Sequence, residues 1–252
     1  MGFDISAFIP AYNEEENIRQ VLDDLLAVLR EVANRYEVIV VLYGGSTDAT
    51  ADIVRIFSKR DPAVKLVIQP ADQKGYGVAL KLGIENSTHG LIFYTDADNQ
   101  YDVREIGRLL EKMGEYDIAS GRRDKRRDPP MRLLTAAIYN RLVNSLFPTG
   151  VQDIDSAFKL YKKSLLEKIQ IHCKTGLADA EILAKARRIG ARIVEVPIAH
   201  FPRVSGRPAF ESRLIAGLGL VKPSVVINVV REMVQLRREL RFLRNGSGNS
   251  LL

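Results

Sequence analysis

The run Val38-Ile39-Val40-Val41-Leu42 is five apolar residues with no polar interruption. A strand of this kind has no face for water, so layers must cover it on both sides, as in a parallel sheet between helices. The flanking sequence supplies those layers. An apolar strand at about 5–9 (Ile5, Ala7, Phe8, Ile9) precedes Val21, Leu22, Leu25, Leu26 and Leu29 at helical spacing. After the run come a helix with Ile53, Val54 and Phe57, a strand Val64–Ile68, and a helix opened by Lys74-Gly75-Tyr76-Gly77. A fourth strand, Leu91–Tyr94, a helix over 103–113 and a strand at 117–120 follow. Helices near 131–146, 163–170 and 178–189 and a strand near 192–198 complete the reading. Glu14-Glu15-Glu16 suits the start of the first helix through its dipole, and Thr47-Asp48 suits a cap on the second. This alternation predicts an α/β fold, a doubly wound and mostly parallel sheet flanked by helices.

In such sheets ligands bind beyond the carboxyl ends of the strands, near the topological switch point. Pro10-Ala11-Tyr12-Asn13-Glu14, Gly44–Asp48 and Asp96–Gln100 all fall there. Asp96-Ala97-Asp98 offers two carboxylates one residue apart, just past a strand. That donor set suits Mg²⁺ or Mn²⁺ bridging to a substrate phosphate; the bland alternative is a solvated acidic turn. Tyr12 offers a flat face to a base and Glu14 an acceptor for ribose or base donors, against a plain strand-to-helix turn. Lys74 and Arg122 are candidate diphosphate partners, although isolated basic residues are more often surface charges. His89, His172 and His200 lack metal-ligand spacing.

Taken together the motifs resemble family 2 glycosyltransferases of the GT-A fold, in the branch of dolichol-phosphate mannose synthase and bacterial polyprenyl-phosphate glycosyltransferases. The matching segments include I-P-A-Y-N-E-E-E-N-I (9–18), G-S-T-D-A-T (45–50), K-G-Y-G-V-A-L (74–80) and T-D-A-D-N-Q (95–100). They continue through S-G-R (120–122), V-Q-D-I-D-S-A-F-K-L (151–160), D-A-E-I-L (179–183) and V-P-I-A-H-F-P-R-V-S-G-R (196–207). The resemblance implies inverting transfer from a nucleotide sugar, with Pro10, Ala11, Tyr12 and Glu14 lining the nucleotide pocket. It implies that Asp96, Ala97 and Asp98 meet the diphosphate and metal, and that Gln100 is a further metal-site position. Arg122 and Arg203 match basic residues near the phosphates, and Asp153 matches the acid of the acceptor-side motif. Tyr43-Gly44 stands where the family usually carries Asp-Asp, so the base-reading carboxylate is absent and Tyr43 is a candidate stacking partner. Gly206-Arg207-Pro208 departs from the usual Gly-Glu-Ser.

A hydroxyl acceptor needs a general base, whereas a polyprenyl phosphate is already anionic and needs cations and positioning. Charge placement favours the second. Residues 122–132 carry six basic and two acidic side chains. Arg203–Arg244 carry nine and three, so residues 1–202 are neutral and the net +6 belongs to the far end of the chain. A nucleic-acid binder would not be charged this way. Within Pro223–Leu243, Val226, Val229, Val230, Met233, Leu236, Leu240 and Leu243 form a helical stripe flanked by Arg231, Arg237, Arg238, Arg241 and Arg244. Such a helix suits an anionic membrane surface, or equally a membrane partner protein, the domain itself or a second copy in a homodimer.

The expected organisation is a GT-A-like domain over 1–210, a basic amphipathic helical segment over 211–244 and a disordered tail over 245–252. The single cysteine, Cys173, and the lack of a leader or confident membrane span suit a cytoplasmic protein attached peripherally to the membrane. The function expected is metal-dependent transfer of a sugar from a nucleotide diphosphate to a polyprenyl phosphate. Transfer to a saccharide or other hydroxyl, and silent nucleotide-sugar binding after loss of the Asp-Asp pair, remain the alternatives.

Overall fold

The computed structural model describes residues 2–124, 130–203 and 223–245. Much of the expected basic loop (125–129), the Gly206-Arg207-Pro208 departure and nearly all of the tail lie outside them. Among the described residues seven strands form one sheet: β1 (Phe3–Ala11), β2 (Ala33–Tyr43), β3 (Val64–Gln69), β4 (Leu91–Thr95), β5 (Ile118–Asp124), β6 (Phe158–Lys162) and β7 (Ile193–Ala199). Their spatial order is β3-β2-β1-β4-β6-β5-β7. All pairings are parallel except the two made by β6.

Helices α1 (Ile18–Val32), α2 (Thr50–Arg60), α3 (Tyr76–Asn86) and α4 (Ile106–Leu110) cross between the early strands. They are followed by α5 (Pro130–Leu146), α6 (Lys163–Leu166), α7 (Leu177–Arg188) and α8 (Pro223–Asn245). The continuous apolar run of β2 is wholly buried, as a two-sided cover requires. Two sites demand glycine because backbones meet closely. A Cβ at Gly77 would collide with the Cys173 carbonyl, and one at Gly83 with the Phe8 ring. The first contact, with Gly77 N–H donating to Lys174 O at 3.0 Å, draws the start of α7 against the start of α3.

Three local readings change. The acids Glu14–Glu16 precede α1 rather than occupy its first turn; Asn17 is its N-cap. Ala49 is the N-cap of α2, while Asp48 accepts from Thr50 N–H and Glu15 N–H. The helix expected over 163–170 is one turn, Lys163–Leu166, and β6 lies in a segment noted only as a motif. That strand is short and fully apolar apart from Lys159 and Lys162, so periodicity does not separate it from helix.

The stripe of α8 faces the domain. Met233 and Leu236 are buried, Val229 and Leu240 half-buried, and Val230 is exposed; the side chains of Val226, Leu243 and Arg244 lie outside the described residues. Polar contacts reinforce the docking: Glu232 accepts from Lys174 N–H at 2.8 Å and Thr175 Oγ at 2.5 Å. Glu239 joins His172 and Lys185 at 3.1 Å each. His172, Glu181 and Glu239 cluster, but Lys185 Nζ sits 2.6 Å from Glu181 and supplies the positive charge. Leu236→Ala should cost about 2–4 kcal/mol in denaturant unfolding, since Leu236 is 1% exposed. An unchanged midpoint would show that α8 does not dock this way.

A second network closes the edge away from the site. Burial alone would raise the Glu37 carboxyl, but hydrogen bonds from Lys65, Ser6 and Thr88 outweigh it and hold the group at about 2. Unfolded, it titrates near 4.5. The contribution is therefore complete above that value and is lost as pH falls through the folded one. Lys65 is 49% exposed, so screening reduces the benefit to about 2 kcal/mol at neutral pH. Glu37→Gln should lose that amount at pH 7 and converge with the parent near pH 2, by urea unfolding at each pH.

Candidate active site

The sheet changes direction of winding between β1 and β4, which are parallel neighbours leading to α1 and to Asp96–Gln100. The loops after β1 and β2 are tied together. Asn13 Oδ1 accepts from Thr47 N–H at 2.8 Å, Glu14 N–H donates to Thr50 Oγ at 2.9 Å, and Glu15 exchanges bonds with Asp48 and Ala49. The G-S-T-D-A-T segment thus braces the first loop. Asn13 and Asn99, at φ 53° and 58°, bend the chain beside Glu14 and Asp98. Asparagine tolerates this left-handed conformation better than most residues.

A cleft of about 230 Å³ opens between these loops. At one end stand Tyr12, Tyr43 and Lys74, with Pro10 and Ala11 in the wall. Tyr12 and Tyr43 meet edge to face with centroids 5.6 Å apart, the Tyr43 hydroxyl donates to Ala71 O at 2.9 Å, and Lys74 Nζ lies 5.9 Å from the Tyr43 centroid. At the other end are Glu14, Asp96, Ala97, Asp98 and Arg203. Gly44 stands aside, its N–H donating to Gln69 O at 2.8 Å.

Charge at that second end is unevenly balanced. Arg203 bonds both Glu14 oxygens, at 2.5 and 2.7 Å, and lies 3.6 Å from Asp98. Burial raises Glu14, opposed by Asn17 and Arg203. Asp96 is raised far more: burial comes first, then repulsion from Asp98 and Asp179, and the Tyr76 hydroxyl at 3.3 Å only partly offsets them. Adjacent carboxylates that raise one another's proton affinity form a donor set suited to a hard divalent cation. Gln100 gives its amide nitrogen to Phe201 O at 2.9 Å, so its oxygen is the ligand atom it could offer. Asp96 and Asp98 line the cleft and could therefore hold Mg²⁺ or Mn²⁺, whereas Gln100 lies outside the lining, its backbone N–H 3.3 Å from Asp98 Oδ1.

Arg122 and Asp153 lie outside the cleft lining. Asp153 is gripped by the next residue, Arg123: Nε at 2.8 Å, Nη2 at 2.6 Å and the backbone N–H at 3.0 Å. The S-G-R motif (120–122) ends one residue before Arg123 and carries no signal for it. Behind Asp96 lies a buried pair, Lys159 and Asp179, at 2.7 Å, with Lys159 0% exposed and 5.6 Å from the Tyr94 ring centroid. Burial raises Asp179 and Lys159 opposes it. The D-A-E-I-L and F-K-L segments contained both residues, but sequence spacing could not show that they meet.

A family profile for Glycosyl transferase family 2 matches residues 6–170. Among curated proteins, the undecaprenyl-phosphate 4-deoxy-4-formamido-L-arabinose transferase of Pseudomonas paraeruginosa (strain DSM 24068 / PA7) is 26% identical over 215 residues, 85% of this chain and 62% of that protein. The protein of the same description from Edwardsiella ictaluri (strain 93-146) is 26% identical over 231 residues, 91% and 66% of the two chains. The chain thus spans less than two thirds of the length of these curated relatives. Glucosyl-3-phosphoglycerate synthase from Mycobacterium tuberculosis, solved with Mn²⁺, UDP-glucose and glycerol 3-phosphate, superposes with a TM-score of 0.67 at 20% identity, over 92% of this chain and 80% of that one. That likeness is one of fold. The chain belongs to glycosyl transferase family 2.

Tyr43→Ala should weaken nucleoside diphosphate binding by roughly tenfold, the low end for a lost aromatic–base contact. Tyr43→Phe should bind nearly as the parent. Calorimetry with UDP and GDP checks both, and an unaffected Tyr43→Ala would remove the ring from the base site.

Proposed function

We propose that this family 2 glycosyltransferase transfers a sugar from a nucleoside diphosphate to a polyprenyl phosphate. The observation that carries the donor half is the cleft itself, aromatic at one end and carboxylate-rich at the other. Tyr12 and Tyr43 would hold the base, Lys74 and Arg203 the diphosphate, and Asp96 and Asp98 a divalent cation. The cation would supply Lewis-acid stabilisation of the departing diphosphate. Mn²⁺ with UDP-glucose in the synthase named above supports a cation and leaves Mg²⁺ open.

The acceptor half rests on the undecaprenyl-phosphate relatives and on Asp153. A carboxylate bonded three times to Arg123 is poorly suited to removing a proton from a hydroxyl. A phosphate acceptor needs no such base. Its oxygen attacks the sugar anomeric carbon on the face opposite the diphosphate. The new C–O bond forms as the old one breaks, and the electron pair leaves on the nucleoside diphosphate. Arg122, on β5, is the cation proposed to steady the acceptor.

We further propose that residues 1–210 form the catalytic domain and that the protein works at the cytoplasmic membrane face. No helix among the described residues is long and apolar enough to cross a membrane. A surface contact is supported by α5, where Met131, Leu134, Ile138 and Leu142 are 47–59% exposed at helical spacing. No acidic residue interrupts that helix. The test is formation of lipid-linked sugar from a nucleotide-sugar panel and undecaprenyl phosphate, with Mg²⁺ or Mn²⁺. Product should form with a cation and fall at least about 100-fold in Asp98→Ala, the scale of a lost charge-stabilising group. Undiminished turnover in that variant would refute the metal role, and equal transfer to hydroxyl acceptors without lipid would refute the acceptor.

A further inference from the structure

Helix α8 reaches the donor cleft through a single peptide unit. Glu232, on α8, accepts from Lys174 N–H through Oε1 at 2.8 Å. Its Oε2 accepts from Thr175 N–H at 3.2 Å and from Thr175 Oγ at 2.5 Å. The carbonyl that shares a peptide plane with Thr175 N–H is that of Lys174, and it accepts from Gly77 N–H at 3.0 Å. A trans peptide is rigid and points its N–H and C=O to opposite sides. Glu232 and Gly77 therefore grip the two ends of one planar group. The two bonds also reinforce each other, because a carboxylate at the N–H polarises the C=O and makes it a better acceptor.

The far end of this link is the loop that carries cleft residues. Lys74, Gly75 and Tyr76 all line the cleft. Gly75 packs so closely on Lys174 O that a Cβ would collide with it. The Gly75 carbonyl accepts from Gln69 Nε2 at 3.1 Å, and the Tyr76 hydroxyl donates to Asp96 Oδ1 at 3.3 Å. The loop is thus fixed from β3, from the carboxylate edge and, through the Lys174–Thr175 peptide, from α8. Lys74 stands at its head, with Nζ 5.9 Å from the Tyr43 ring centroid. Glu232 itself lies outside the cleft lining.

We propose that Glu232 is a positioning residue for the donor: by holding the Lys174–Thr175 peptide, it sets where the glycine loop presents Lys74 to the nucleoside diphosphate. The inference rests on the donor reading of the cleft. It gives α8 a part in donor binding besides covering apolar surface. By linkage, a bound diphosphate in turn holds the loop and the peptide that α8 grips.

The experiment combines calorimetry of the full chain with UDP and GDP and amide hydrogen exchange at Gly77. In Glu232→Ala the Gly77 N–H should exchange faster. Affinity for whichever diphosphate the parent binds should fall roughly 3- to 30-fold, the range for a residue that acts through a packed network. Glu232→Gln keeps one acceptor oxygen and should fall between, providing a second reading if the alanine variant folds poorly. Leu236→Ala loosens the same helix through packing alone and should leave both readouts near the parent. In a Lys74→Ala background, Glu232→Ala should cost much less further affinity than it does in the parent, since the group it positions is gone.

Unchanged diphosphate affinity or unchanged Gly77 exchange in Glu232→Ala would overturn the inference. So would an equal loss in Leu236→Ala, or strictly additive losses with Lys74→Ala, either of which would reduce Glu232 to a fastening for the helix. A parent protein that binds neither UDP nor GDP would instead defeat the donor reading, and with it the role assigned to Glu232.

Discussion

Carboxylates outnumber cations at the carboxyl edge of the sheet, and much of the local architecture follows from containing them. Glu14, Asp96, Asp98 and Asp179 gather there with Arg203 and Lys159, while Arg123 is held by Asp153. Carboxylates placed close together in a desolvated site repel, and each additional negative charge raises the proton affinity of the rest. Arg203 relieves Glu14 and Asp98, and Lys159 relieves Asp179. At Asp96 the Tyr76 hydroxyl is set against burial and three carboxylate neighbours, Asp98, Asp179 and Glu14. A divalent cation and the diphosphate it carries would complete the balance.

The fold brings these groups together through close backbone contacts. Parallel pairing of β1 with both β2 and β4 puts three loops at one edge. The antiparallel β6 inserts beside β4 and carries Lys159 beneath that edge. Gly77 allows the segment before α7 to approach α3, which brings Asp179 within reach of Tyr76 and Lys159. Substitutions at Gly77 would therefore disturb site charge as well as packing.

The alternating elements of residues 1–120 were legible because each has a strong period or a continuous apolar run. The Asp96-Ala97-Asp98 pair was legible because its residues are adjacent in sequence. Tyr43 lines the cleft, since the loop after β2 must face the switch point. Three features were not legible, for different reasons. β6 is too short to display a period. Arg123 and Lys159 acquire meaning only through partners 30 and 20 residues away. The stripe of α8 was visible as a stripe, but amphipathicity does not say what covers it: Met233 and Leu236 are buried on the domain, while Ile227, Val230 and Val234 stay exposed.

The central claim is that the acidic end of the cleft is completed by a cation that carries the donor diphosphate. Calorimetric titration of the full chain with UDP and GDP, in chelator and then in Mn²⁺ or Mg²⁺, tests it without assuming the sugar or acceptor. At least one diphosphate should bind at least about tenfold more tightly with the cation, a coupling near 1.4 kcal/mol. Equal affinity with and without it would contradict the account.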